Sequence, residues 1–240
     1  MEIAQEKLSP IITSDITSEI LLLVSTNKGG FIYYSDEKRK NWEVNGPYLL
    51  GSIVHHMVLD SRDNKTILMA AQTKQHGSCI FKSTDFGMTW LPTEFPSKLI
   101  NGEKINHIFR LTIGHPEEPS IWYAGTSPQG LFRSDNFGDT WHEIESLSNK
   151  IQDSNKTNNH LNYKYEKLHS IFIDSSNMDC ITICMTNGGA YRSEDHGKSW
   201  VGINEGNKVE SYIMVQHNND KNILYQQNKS GIYKYNPSNN

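Results

Sequence analysis

Four polar side chains stand at one repeated position of the sequence and could share a binding site. Each lies five residues before a residue that ends a predicted inner strand, and they are His55, Arg110, His169 and Tyr212. If the strands are arranged radially, these positions line one level of a central channel. Imidazole, guanidinium and phenol groups converging there favour an anionic or polyhydroxylated ligand, and the imidazoles titrate near neutral pH. His56 and His107 are further candidates for this site. A shift of one residue in the strand register decides whether their side chains point into the channel. The alternative is that these side chains only pack around a water-filled axis.

The elements that position these residues come from an internal repeat. An eight-residue box with serine, a short acidic or amide residue, glycine and tryptophan occurs three times. Its key residues are Ser83, Asp85, Gly87 and Trp90, then Ser134, Asn136, Gly138 and Trp141, then Ser193, Asp195, Gly197 and Trp200. A degenerate copy ends at Trp42, and an aromatic strand precedes every box. The repeat length is typical of four short strands.

Each box residue type has a structural role in a tight turn. The aspartate or asparagine accepts backbone N–H groups, glycine adopts a positive φ, and tryptophan buries a large flat surface. The box carboxylates are therefore interpreted as structural rather than catalytic. The same holds for the cations that stand directly before the box position: Lys82, Arg133, Arg192 and Lys234.

These boxes resemble the Asp-box of the bacterial neuraminidase repeat, or BNR repeat. Over about residues 20–235 the sequence is similar to the WD40/YVTN/BNR-like repeat proteins of the sialidase-like superfamily, which are often labelled glycosyl hydrolases. The resemblance implies a β-propeller. It permits either a scaffold, as in assembly factors and sorting receptors, or a glycoside hydrolase, because one fold hosts many functions.

The predicted fold is an all-β propeller of four-stranded antiparallel blades with Asp-box turns between their third and fourth strands. One domain is expected at 19–236, with about five blades near 19–50, 51–100, 101–146, 167–206 and 209–236, after an N-terminal segment at 1–18. The last blade lacks a fourth strand. Either Ile11–Thr17 pairs with it and closes a small ring, or the ring is open and its sheet edges invite self-association.

The longest insert, Ser146–Glu166, joins the third and fourth blades and is rich in Asn, Ser, Lys and Tyr. Such a connection emerges on the channel face, where Tyr163 and Tyr165 could supply a stacking surface. A disordered polar loop is the equal alternative.

Charge chemistry argues against a sialidase. Such enzymes hold the sialic acid carboxylate with three converging arginines, and of the five arginines here only Arg110 could face the channel. A glycosidase needs two carboxylates flanking the sugar, and spacing nominates no such pair, so the catalytic residues are unknown. The favoured function is a scaffold that binds a protein or a small polar, anionic or carbohydrate ligand through the channel face. The alternative is a glycosyl hydrolase.

Composition narrows the partners. The net charge is −4 without a basic run, which disfavours nucleic acid, and no segment is long and apolar enough to cross a membrane. The three cysteines show no metal-ligand spacing, so no metal and no cofactor are expected, and a cytoplasmic location fits their number best. Few alanines and 10% aromatic residues disfavour helices.

Overall fold

The strands of the protein form five antiparallel sheets that follow one another along the sequence. The computed structural model describes residues 20–157, 166–186, 188–203, 211–217 and 223–235. The second, third and fourth sheets have four strands, and the first and fifth have three described strands each. The prediction of an all-β propeller of antiparallel blades is confirmed.

The strand bounds follow the repeat. The first sheet contains β1 (Ile20–Thr26), β2 (Gly29–Ser35) and β3 (Trp42–Tyr48). The second contains β4 (Ile53–Leu59), β5 (Ile67–Thr73), β6 (Gly77–Ser83) and β7 (Leu91–Pro92). The third contains β8 (His107–Ile113), β9 (Trp122–Ser127), β10 (Leu131–Ser134) and β11 (His142–Glu143). The fourth contains β12 (Leu168–Ile173), β13 (Ile181–Met185), β14 (Gly189–Ser193) and β15 (Val201–Gly202). The fifth contains β16 (Ile213–Gln216), β17 (Leu224–Asn228) and β18 (Gly231–Tyr235).

The ring is not closed within the part of the chain that the structure describes. No described strand of the fifth sheet pairs with a strand of the first. The predicted closing strand at Ile11–Thr17 lies outside the described residues.

The hydrophobic core lies between neighbouring sheets. Because successive side chains of a strand point to opposite faces, each inner sheet buries two apolar faces. In the second sheet, Met69 and Phe81 pack towards the first sheet, whereas Leu68 and Ile80 pack towards the third. This two-sided burial explains why the central strands read as nearly continuous apolar runs.

The box residues form one hydrogen-bonded turn in all three copies. The serine Oγ accepts the backbone N–H of the box glycine at 2.7 Å for Ser83, 2.9 Å for Ser134 and 2.8 Å for Ser193. The acidic or amide side chain accepts the N–H of the residue four positions later, at 2.8–3.0 Å. These bonds satisfy backbone groups that the tight turn removes from the strand ladder.

The box turns also interlock neighbouring blades. Gly87 and Gly138 have φ values of +88° and +83°, in the left-handed region that favours glycine. A Cβ at Gly87 would lie 2.8 Å from Ile32 Cδ1 of the first sheet, and one at Gly138 would lie 3.0 Å from Leu68 Cδ1 of the second. In the degenerate first box, Arg39 has a φ of 54° at the corresponding place.

The insert after the third blade begins as a helix, which corrects its interpretation as a polar loop. Helix α1 (Glu145–Thr157) buries Leu147 and Ile151, one turn apart, against residues of the third and fourth sheets. Ser146 Oγ, near its start, accepts a hydrogen bond from Trp200 Nε1 at 3.1 Å. Tyr163 and Tyr165 lie outside the described residues. In the described part of the chain, no helix is long and apolar enough to cross a membrane.

Candidate functional site

Three inner strands carry a one-residue bulge at the same level. The strand pairing skips His55 in β4, Phe109 in β8 and His169 in β12. Tyr212 occupies the matching place before β16, where its N–H donates to the Gln227 carbonyl at 3.0 Å. A bulge re-aims side chains, and here it gives His55, Phe109 and His169 a common position, which Tyr212 matches in the fifth sheet.

The predicted equivalence of Arg110 with His55 is therefore wrong by one residue. The prediction takes His115 as the end of the third inner strand. In the structure, the backbone N–H of Gly114 donates to the Ile121 carbonyl, just as the N–H of Asp60 donates to the Thr66 carbonyl at the end of the second inner strand. Phe109 is the equivalent of His55, and Arg110 is the equivalent of His56. Gly114 gives no polar strand-end signal, so the sequence favoured the histidine beside it.

His55 and His107 form a direct imidazole pair. Nε2 of His55 lies 3.1 Å from Nδ1 of His107, and the ring centroids are 4.8 Å apart. The Phe109 ring packs 5.1 Å from the His55 ring and 5.5 Å from the His107 ring. One imidazole must donate and the other accept, so at least one of the two rings is neutral.

Lys167 supplies a positive charge beside these rings. Its Nζ lies over the Phe109 ring, 4.3 Å from the centroid. Burial, followed by the charges of His107 and Lys167, lowers the pKa of His55 to about 4. Burial and then Lys167 also lower the pKa of His107 and that of His169. The three imidazoles are therefore uncharged at neutral pH.

His169 continues the site towards the fifth sheet. Its Nε2 lies 2.5 Å from Thr186 Oγ1, and its ring stands edge-on to the Tyr212 ring at 5.3 Å. We call the group the channel cluster: His55, His107, Phe109, Lys167, His169, Thr186 and Tyr212. It combines neutral imidazoles, two hydroxyls, the rings of Phe109 and Tyr212, and one ammonium group.

His56 and Arg110 form a second layer beside the channel cluster. Arg110 Nη1 lies 3.3 Å from His56 Nε2, and the Leu111 N–H lies 3.3 Å from His56 Nδ1. A neutral imidazole has one acceptor nitrogen, so only one of these contacts is a hydrogen bond at a time. Burial and then Arg110 lower the pKa of His56 to about 4. Arg110 Nε is buried without a hydrogen-bond partner among the described residues.

Three members of the channel cluster were not among the predicted site residues: Phe109, Lys167 and Thr186. Lys167 precedes His169 by two residues. Strand alternation therefore places the two side chains on one face, which is a signal that the sequence contains. Phe109 would have followed from a one-residue shift of the alignment. Thr186 follows β13, and only the folded sheet brings it to His169.

The acidic residues near the box turns and strand ends have structural partners. Asp85 and Asp195 accept hydrogen bonds within their own turns. Both carboxylate oxygens of Asp60 bind Arg62. Within the described ranges, no three His, Cys, Asp or Glu side chains are grouped as metal ligands.

Comparison with known proteins agrees with the repeat. The family model for the BNR-Asp box repeat matches residues 131–144, which contain the third-blade box. The chain carries BNR-Asp box repeats. This repeat propeller is 31% identical over 143 residues to the xyloglucanase Xgh74A of Acetivibrio thermocellus, covering 52% of this chain and 16% of that protein. A xyloglucanase of a Paenibacillus species is 24% identical over 179 residues, covering 68% of this chain and 17% of the relative.

Solved structures show the same architecture. The GH74 xyloglucanase from Xanthomonas campestris superposes with a TM-score of 0.67 at 19% identity, over 92% of the repeat propeller and 35% of that chain. A chain of the COPII outer coat vertex on membranes superposes with a TM-score of 0.62 at 10% identity, over 92% of the repeat propeller and 56% of that chain. The repeat propeller is related to glycosyl hydrolases, and it spans a small part of the length of its named relatives.

Proposed function

We propose that this propeller is a binding scaffold that takes a polyhydroxylated ligand, a carbohydrate, at the channel cluster without hydrolysing it. The observation that carries the proposal is the juxtaposition of the His55–His107 pair and His169 with the rings of Phe109 and Tyr212.

The chemistry of the channel cluster suits a sugar. A neutral imidazole offers one donor and one acceptor, and a sugar hydroxyl is both. The rings of Phe109 and Tyr212 provide apolar surface against which the C–H face of a sugar can pack. Ligand sites commonly combine apolar and aromatic surface with a few convergent polar groups.

The named relatives support a carbohydrate ligand. Two of them are named xyloglucanases, so a β-glucan with many free hydroxyls is the natural first probe. Those names also favour the second candidate function, glycoside hydrolysis.

Hydrolysis requires an acid and a nucleophile or base, two carboxyl groups about 5–9.5 Å apart across the sugar. The three cluster imidazoles contact another imidazole, a hydroxyl and aromatic rings. This composition supports binding more than acid–base cleavage.

The test measures xyloglucan oligosaccharide binding by isothermal titration calorimetry and cleavage by release of reducing ends. We expect binding without cleavage, and at least about tenfold weaker binding for His55→Ala and for His169→Ala. His142→Ala, a histidine whose side chain is 58% exposed on β11, is the matched control and should bind like the wild type.

Cleavage by the wild type that disappears in His55→Ala would replace the scaffold by a hydrolase. Absence of binding to every oligosaccharide would remove the carbohydrate proposal and leave a protein partner as the remaining hypothesis.

A further inference from the structure

Two cations at the inner strands, Lys167 and Arg110, differ in their contacts from four cations that form ion pairs. Arg62, Lys82, Arg133 and Arg192 each bind a carboxylate at 2.7–3.1 Å. Lys167 and Arg110 form no ion pair within the ranges that the structure describes; their contacts are an aromatic ring and an imidazole. Among the described residues, the channel cluster and the layer beside it thus hold positive charge without a carboxylate in contact.

The groups next to these cations do not neutralise them. Lys167 faces Phe109, His55, His107 and His169, and the lowered pKa values keep these imidazoles uncharged at neutral pH. Glu166 precedes Lys167 in the chain, but it is 2% exposed and is therefore turned into the protein.

A half-buried cation without an anion is electrostatically incomplete, because water screens it less than at the surface. An anionic ligand group would supply the missing charge. A charge-assisted hydrogen bond to a carboxylate is about twice as strong as a neutral one, which makes the charge a basis for selection.

We infer that the preferred carbohydrate carries a carboxylate, as a uronic acid does, and that Lys167 binds this group while Arg110 raises the positive potential behind it. The inference rests on the proposed function, since the neutral imidazoles and rings of the channel cluster would hold the sugar hydroxyls. A uronate differs from the corresponding neutral sugar only at C6, where a carboxylate replaces a hydroxymethyl group.

The test compares a glucuronate-terminated glucan tetrasaccharide with its glucose-terminated counterpart by calorimetry at about 20 mM and about 500 mM NaCl. We expect the acidic ligand to bind about tenfold more tightly at low salt, as one charged contact provides, and the preference to shrink at high salt. Lys167→Met should abolish the preference, so that this variant binds the acidic and the neutral ligand with equal affinity. Arg110→Met should reduce the preference by a smaller factor.

Lys65→Met, which removes an exposed lysine from the turn after β4, is the matched control and should retain the full preference. Far-ultraviolet circular dichroism and thermal melts establish that each variant is folded. Equal binding of the two ligands by the wild type, or an unchanged preference in Lys167→Met, would overturn the inference and leave the scaffold proposal intact. Binding of neither ligand would overturn both.

Discussion

Arg62 forms a buried ion pair with Asp60 and connects the second blade to the third through hydrogen bonds to two carbonyls. Its Nε and Nη2 donate to the two carboxylate oxygens of Asp60 at 2.8 Å and 2.7 Å. Its Nη1 donates to the carbonyls of Glu118 and Ile121, and its guanidinium lies 5.3 Å from the centre of the Trp122 ring. The side chains of Arg62 and Asp60 are 9% and 5% exposed.

We expect Arg62→Ala to lower the free energy of unfolding by about 3–5 kcal/mol, the usual cost of removing one partner from a buried pair. The reason is that the Asp60 carboxylate would stay buried without its counter-charge, and two carbonyls would lose a donor. Arg62→Lys should cost less, because an ammonium keeps the charge but loses the planar fork. The double variant Asp60→Asn/Arg62→Ala should cost less than the two single changes added together.

The assay is urea unfolding at pH 7, followed by tryptophan fluorescence and circular dichroism. Arg133→Ala is the matched control, since its partner Asp135 is 52% exposed and such surface pairs contribute at most about 1 kcal/mol. A loss below about 1 kcal/mol for Arg62→Ala, equal to that of the control, would refute the role assigned to this pair.

Three further outcomes follow from the structure. The contribution of His55 and His56 to stability should be complete above about pH 6.5 and should be lost between about pH 6.5 and pH 4, because the unfolded chain binds protons before these imidazoles, whose pKa values are lowered to about 4. His56, the more buried of the two, contributes up to about 3 kcal/mol of this loss. Urea unfolding of His56→Gln at pH 7.5 and pH 4.5 should therefore show a smaller difference in the free energy of unfolding than the wild type. An unchanged difference would contradict the lowered pKa of His56. Gly138→Ala should lower the stability measured in thermal melts by about 1–3 kcal/mol, which is more than Gly51→Ala. Both glycines have a positive φ, but only a Cβ at Gly138 would lie 3.0 Å from a neighbouring blade. Equal losses of stability would show that this contact is unimportant. Leu147→Ala should lower the free energy of unfolding by about 2–5 kcal/mol, because this leucine of α1 is fully buried. Leu50→Ala is the control and should change it little, since Leu50 is 76% exposed. Equal effects in urea unfolding would argue against the packing of α1.

The sequence predicted the repeat architecture well because each repeat uses local rules. The box turn needs a serine, a short acceptor, a glycine and a tryptophan within eight residues. Their side chains form hydrogen bonds within the same box, except that Trp200 donates to Ser146.

The candidate site was predicted only in part because it depends on register between blades. His55 and His169 were placed correctly relative to each other, but Arg110 was aligned in place of Phe109. A one-residue error transfers a side chain to the other face of a strand. The helical start of the insert was also missed, because its apolar side is only Leu147 and Ile151 in an otherwise polar segment.

The sequence by itself determined that this protein is a β-propeller of Asp-box repeats, since turn chemistry and alternating apolar residues act over a few positions. The tertiary structure alone decided which polar groups meet. The bulges bring His55, Phe109 and His169 to the level of Tyr212, Lys167 reaches the Phe109 ring, and Arg62 reaches carbonyls of the third blade. These contacts join residues from different blades, and their distances depend on how the sheets pack against one another rather than on any local pattern.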